Sequence, residues 1–365
     1  MSATYERAQS TTRDVVATVG MGQRVRRRRG AMTAALLAAA VTGSLLTGCT
    51  VGGDPRDDGR GAHPEQRPER TASPRRTALP GPGAGPERTP APKRAAGPVL
   101  AVKIDNVRPA RPQSGLDTAD VVYAEQVEGG LSRLMAVYAT KLPKSVGPVR
   151  SARESDLDLL GQFDEPTLAY SGAQRRLLPL IDRAALRGVR PEDDAAAYYR
   201  APGRAAPHDL YVRPRRLMDS VPGAAALTTG FRYGPAPSGG TPERTRTVRY
   251  PSARFTFTWS AGRGRWLVSM GDTRAVTPEG RAVAPATVVV QHVKVLTSRF
   301  HDVLGSNTPF TQTVGSGKAE VLRDGRSYRA AWQRPSASSG TDFTAPDGSP
   351  LNFAKGQVWV VFTQD

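Results

Sequence analysis

The sequence predicts an α/β or α+β domain over residues 98–228, followed by a smaller mainly-β domain over 229–365. Three observations predict this. Apolar strand-like runs alternate with helix-spaced runs up to about residue 225, period-two alternation dominates after Gly230, and nothing before residue 98 has the composition of a core.

The first element, residues 1–48, reads as an export signal. Arg24 and Arg26 through Arg29 form a basic segment, and Ala31 to Leu46 is an uncharged, mostly apolar run too short for a comfortable membrane span. It ends in Leu46-Thr47-Gly48-Cys49, which resembles the lipobox of bacterial lipoproteins. There, small residues admit the peptidase and the Cys49 thiol takes a diacylglycerol, acyl chains such as palmitate holding the protein in the membrane. The expected location is therefore the extracytoplasmic face of the cell membrane. Cys49 is the single cysteine, so no intrachain disulfide is available to the fold. Initiation at Met1 or Met21, and export by the general secretory or the twin-arginine route, both fit the segment.

Residues 49–97 follow as a tether. Between Thr50 and Gly97 there are nine prolines, no aromatic residue, and only Val51 and Leu79 among the larger aliphatics. Such a stretch cannot offset its ordering entropy. As a coil it would span about 40 Å, and more where proline favours the extended form.

Order is predicted from Pro98. Val99 to Ile104, Asp120 to Tyr123 and Leu131 to Thr140 read as strands, with Gly129-Gly130 turning the chain before the third. Glu154 to Phe163 has helical spacing, Thr167 to Tyr170 returns to strand, and Arg175 to Ala185 is helical again. Further on, Phe255 to Trp259 and Trp266 to Val268 alternate as a hairpin. Val288 to Leu296, Ala319 to Leu322, Tyr328 to Gln333 and Gln357 to Phe362 read as further strands.

The formal charge of +18 raises the question of nucleic acid. Residues 1–48 hold seven arginines against Glu6 and Asp14, so +5 lies in the export segment and about +13 remains, dispersed and nearly all arginine. That distribution argues against a nucleic-acid partner. It leaves attraction to anionic wall polymers or lipid headgroups, or compositional bias alone.

The segment Gly147-Pro148-Val149-Arg150-Ser151-Ala152-Arg153-Glu154 is the most suggestive for chemistry. Ser151 and Glu154 have capping-box spacing, which predicts a helix starting at Ser151 with Arg150 and Arg153 beside its positive end. Free N–H groups and two guanidiniums there would bind an anion, unless Glu125, Glu128 or Asp156 pairs with the arginines. Ser171, followed by Gly172, repeats the spacing with Gln174, so both helix starts would sit at the carboxyl edge of a mostly parallel sheet.

Asp105-Asn106 ends the first strand and either faces a pocket or terminates the strand. Glu125 and Glu128 offer a carboxylate pair for acid–base work or an exposed turn. His208 is the best-placed histidine, since His63 falls in the tether and His292 and His301 in the β region. No spacing forms a zinc site, and no cofactor motif is complete: Gly315-Ser316-Gly317-Lys318 lacks the first glycine and the Ser/Thr of a phosphate loop.

Several of these motifs, in order, resemble the YerB-type bacterial lipoproteins, the domain of unknown function 3048. The resemblance rests on Val102 to Asn106, Arg111-Pro112-Gln113-Ser114-Gly115, Ala119 to Tyr123, Glu128-Gly129-Gly130, Gly147 to Arg153 and Gly315 to Lys318. It implies a two-part layout from about Val99 onward and supplies no reaction. Where the family carries His-Asn, this chain has His208-Asp209.

The resulting expectation is a membrane-anchored envelope lipoprotein that binds an anionic wall glycan or phosphate-bearing ligand at Arg150, Ser151, Arg153, Ser171 and Gly172. A polar pocket of Asp105, Asn106, Glu125, Glu128 and His208 adjoins them. The alternatives are an envelope glycan hydrolase or transferase using Glu125 or Glu128 with His208, and a module whose partner is another protein.

Overall fold

In a computed structural model, residues 97–302 and 305–364 are described; the export segment, Cys49 and the tether lie outside them. The architecture grows from β1 (Leu100–Asp105), whose six residues are all buried. A strand buried on both faces must be covered on both, and β1 lies between β3 (Ser132–Tyr138), antiparallel, and β4 (Thr167–Ala169), parallel. On the far side of β3 runs β2 (Val121–Gln126), and β5 (Arg187–Val189) pairs parallel with β4. A small hairpin, β6 (Tyr198–Arg200) with β7 (Leu210–Val212), stands apart from this sheet.

Strands from the second half of the chain complete the same sheet. β8 (Thr241–Pro242) lies at its edge on β17, while β9 (Thr245–Arg249), β10 (Arg254–Ser260), β11 (Arg265–Met270) and β12 (Thr273–Arg274) form a separate antiparallel sheet. β13 (Thr287–His292) joins the main sheet, and β14 (Val295–His301) with β15 (Asn307–Thr311) makes a projecting hairpin. β16 (Gly315–Arg323), β17 (Arg326–Arg334) and β18 (Asp342–Thr344) extend one side, and β19 (Val358–Thr363) fits between β13 and β2. Val358 pairs with Val121 in register, so strands from either side of residue 228 are direct neighbours in an 11-stranded mixed sheet.

The period-two alternation sorts the core into two layers. Leu100, Val102, Ile104, Val122, Ala124 and Leu134 face the four-stranded sheet, meeting Phe255, Phe257, Trp266 and Val268. Val99, Ala101, Val121, Met135 and Val137 face the other way, onto Leu159, Leu160, Phe163 and Ile181 of the short helices and the turn after the first. Trp359 is fully buried against Phe255 and Phe257. Truncating such a side chain costs about 3–5 kcal/mol.

The expectation of an α/β or α+β first domain is therefore corrected: the described residues are mostly β-sheet, with three short α-helices among them. The described helices are α1 (Ser155–Leu160), α2 (Leu178–Arg183) and α3 (Pro214–Leu217), of six, six and four residues. The apolar spacing of Leu157, Leu160 and Phe163 matches a helix face, but Gly161 and the Asp164-Glu165-Pro166 corner stop α1 after little more than a turn. In the second case Pro179 sits at the first turn of α2, and the residues before Leu178 form turns. Parallel pairing is confined to β1–β4–β5 and β13–β19–β2, so the sheet is mixed and not mostly parallel.

Candidate functional site

Register across the sheet places Asp105, Arg133 and Glu125 in one row, on β1, β3 and β2 in turn. Lys103 lies two residues before Asp105 and points to the same face. Polar side chains thus gather where β1 and β2 end and β3 begins. Next to them runs Gly147 to Arg150, held by bonds from Asp105 N to Pro148 O (2.9 Å) and from Arg150 N to Lys103 O (2.9 Å). A Cβ on Gly147 would lie 2.7 Å from the Tyr211 ring, so only glycine lets this segment pass β7.

These elements, the turn after β4 and the β14–β15 hairpin enclose a cleft of about 720 Å³. Asp105, Glu128, Arg133, Arg150, Ser151 and Arg153 all line it. Of the other expected anion-site residues, the Ser171 hydroxyl lies 3.5 Å from that of Ser151, and the Gly172 carbonyl accepts the Ala152 N–H at 3.0 Å.

The predicted capping boxes are not formed. α1 begins at Ser155 and has no side-chain cap; Asp156 Oδ2 accepts the Arg153 N–H at 2.7 Å. Gln174 bonds the N–H of Arg176 at 2.7 Å, ahead of α2, and Ser171 caps nothing. The Ser151 carbonyl instead receives Arg133 Nη1 at 3.0 Å. The cations therefore stand on a strand end and a loop, away from any helix terminus of consequence.

Three arginines differ in their commitments. Arg153 grips Glu128 with both arms, Nε to Oε1 at 2.6 Å and Nη2 to Oε2 at 2.7 Å, and Thr308 Oγ1 donates to Oε1 at 2.7 Å. Burial by itself would raise the Glu128 carboxyl, but these bonds and the Arg153 charge hold it down at about 2. Arg150 Nε sits 3.1 Å from Asp105 Oδ2 as an ion pair without hydrogen-bond geometry, and a quarter of its side chain is exposed. Arg133 makes no ion pair among the described residues, and the Ser151 carbonyl is its one hydrogen-bond partner there. Burial, then the like charges of Arg153 and Arg150, bring its guanidinium down to about 10, against the opposing pull of the Glu128 and Asp105 carboxylates.

The other expected pocket residues, Asn106, Glu125 and His208, do not line this cleft. His208 Nδ1 meets Asp105 Oδ2 at 2.8 Å. Asn106 is a structural hub, donating to Ser132 Oγ at 2.9 Å and accepting from Gln113 Nε2 at 3.0 Å. Glu125 turns away from the cleft to Lys103, and Ser155 Oγ donates to its other oxygen at 2.8 Å. Lys103 Nζ also donates to Asp156 Oδ1 at 2.6 Å, and all four side chains are buried. Lys103 lowers the Glu125 carboxyl against its burial. Asp156 is raised to about 6, because burial and the Glu125 charge outweigh its share of Lys103.

Sequence reasoning missed Lys103 and Arg133. Each had a signal: a lone cation within an otherwise apolar strand run must find partners or meet a ligand. No group of three His, Cys, Asp or Glu side chains that could hold a metal occurs among the described residues.

Comparison with known proteins bears on this site. The model of the protein of unknown function DUF3048, N-terminal domain, matches residues 84–227, and its C-terminal domain matches 246–360. The Bacillus subtilis (strain 168) protein described as "Putative lipoprotein YerB" is 35% identical over 114 residues, 31% of this chain and 34% of that protein. The aligned stretch thus spans about a third of that relative's length. The crystal structure of YerB from Bacillus subtilis shares the fold, with a TM-score of 0.61 at 21% identity, covering 73% of this chain and 91% of that one. The two family models take in the row of Asp105, Arg133 and Glu125, the arginine cleft and the sheet that carries them, and the chain belongs to the DUF3048 family.

Proposed function

We propose that this chain is a lipid-anchored protein of the extracytoplasmic membrane face, tethered through Cys49, whose cleft binds an anionic envelope ligand through Arg133 and Arg150. The observation that carries the reading is Arg133: a partly buried guanidinium without a carboxylate partner, crowded by two further arginines. Glu128 and Asp105 offset part of that crowding from a distance, and a negative charge arriving from outside would offset the rest.

The carboxylates of the cleft leave the role open for a ligand. Glu128 is consumed by Arg153 and Thr308, and Glu154 by Ser298 Oγ at 2.6 Å and Arg299 Nε at 3.3 Å. Asp105 is shared between Arg150 and His208, and Asp302, the remaining carboxylate of the lining, accepts the Ser306 N–H at 2.7 Å. Arg175, exposed at the rim, adds a fourth cation. The Ser151 and Ser171 hydroxyls supply neutral donors beside the charge. Val107, Leu131 and Leu177 offer apolar wall for the carbon skeleton of a sugar or polyol.

Calorimetric titration of the full chain in detergent with phosphate- and carboxylate-bearing glycans tests the reading. Arg150→Ala removes one charged hydrogen-bond donor and should weaken binding about ten- to a hundredfold. Wild-type protein that takes up neither class of anion contradicts it.

A further inference from the structure

The cleft does not end at its own rim. Val107, Leu131 and Ser132 line it on one side and, on the other, line a second depression of about 740 Å³. That depression holds Arg108, Arg111, Arg249 and Arg254, with Asp272 as its one carboxylate. Asp272 pairs with Arg254 and is almost wholly exposed. Arg111 is spent on structure, donating to the Met270 carbonyl at 2.7 Å and the Asn106 carbonyl at 2.7 Å, yet its charge stays. Arg108 and Arg249 are exposed and make no ion pair among the described residues.

Two details set this surface apart from random arginine. Arg249 and Arg254 face each other directly in the β9–β10 register, a like-charge cross-strand pair that costs stability by itself. Leu131, on the saddle between the depressions, is 38% exposed, one of the few large apolar side chains in water. Cations in two basins with an apolar saddle between them match a chain of charged groups joined by carbon linkers.

Building on the anion-binding reading of the first cleft, we infer that the two depressions form one groove for a linear polyanion with repeating phosphate or carboxylate groups and no nucleobases. The absence of bases follows from the walls. Tyr250 is buried, its hydroxyl donating to the Phe362 carbonyl at 2.7 Å, and Phe300 is 6% exposed, so the exposed His301 imidazole is the single open ring lining the first cleft and the second has none, too few for successive bases to stack.

The test compares tripolyphosphate with long-chain polyphosphate on the full chain in detergent, wild type against Arg108→Ala/Arg249→Ala. Both positions are exposed and outside the first cleft. Wild type should bind the long chain at least about tenfold more tightly, because the second basin engages at high effective concentration. The double variant should lose that advantage, with tripolyphosphate affinity unchanged and the salt dependence of long-chain binding reduced by about one to two in log–log slope. Tripolyphosphate binding that needs Arg133 and Arg150, with no gain for the long chain, overturns the groove and leaves the first cleft standing. No binding of either probe overturns both. An oligonucleotide bound more tightly than polyphosphate of equal charge overturns the base-free polymer.

Discussion

Replacing Arg153 by alanine isolates the closed ion pair of the cleft. Glu128 is 9% exposed and holds both arms of Arg153. Its carboxyl moves from 4.5 to about 2, roughly 2.5 pH units, or about 3 kcal/mol of preference for the charged form. Thr308 supplies part of that, so Arg153→Ala should cost about 2–3 kcal/mol at neutral pH, in the lower range for breaking a buried pair. The folded carboxyl lies below the unfolded one, so this stabilisation is fully present above about pH 5 and is lost as the pH falls through about 2. The difference between wild type and variant should therefore narrow from pH 7 to pH 3. Thermal unfolding of the full chain in detergent should show a drop of roughly 5 °C at pH 7. A cycle with Glu128→Gln should return a coupling of about 2 kcal/mol. Equal melting temperatures at pH 7 would refute the reasoning.

Other predictions follow from the buried lysine cluster and from the sequence. Asp156→Asn removes one of two carboxylates around Lys103; because the Asp156 carboxyl is raised to about 6, its contribution to stability is present at low pH and lost as pH rises through that value. The variant should match or exceed wild type in melting temperature at pH 7, and lose the wild-type change near pH 6; a large loss at pH 7 contradicts this. Cys49→Ala should abolish metabolic lipid labelling and block signal-peptide cleavage, and unchanged labelling rules out the anchor. Limited proteolysis should cut within residues 49–97 and leave a stable fragment starting near residue 95 to 100; a resistant fragment beginning near residue 50 would contradict the tether.

Much of the strand map was readable, because alternation is a local property. β1, β2, β3, the β10–β11 hairpin, β16, β17 and β19 all fall where the apolar runs predicted strands. Strand partnership is not local. Nothing in Val358 to Phe362 announces that it pairs with Val121 to Ala124, more than 200 residues earlier, and that pairing makes a single sheet from both halves of the chain. Helical spacing overstates the helices because three apolar residues so spaced also fit a single turn, stopped by glycine at Gly161 or begun only at a proline, as at Pro179. In the site, Asp105, Glu128, Arg150 and Arg153 were drawn from the residues and line one cleft. Arg133 escaped notice because its meaning lies in what surrounds it. Only the register of β3 against β1 and β2 shows it facing two carboxylates' rows while pairing with neither.

The most direct test of the central claim replaces Arg133 by glutamine, which can still donate to the Ser151 carbonyl while removing the crowded charge. The measurement pairs unfolding stability with calorimetric titration of tripolyphosphate. The account predicts stability equal to or above wild type, with affinity lowered about ten- to a hundredfold, since the guanidinium opposes the empty fold and serves the ligand. A variant destabilised by several kcal/mol, alongside a wild type that binds no anion, would make Arg133 a structural residue and contradict the account.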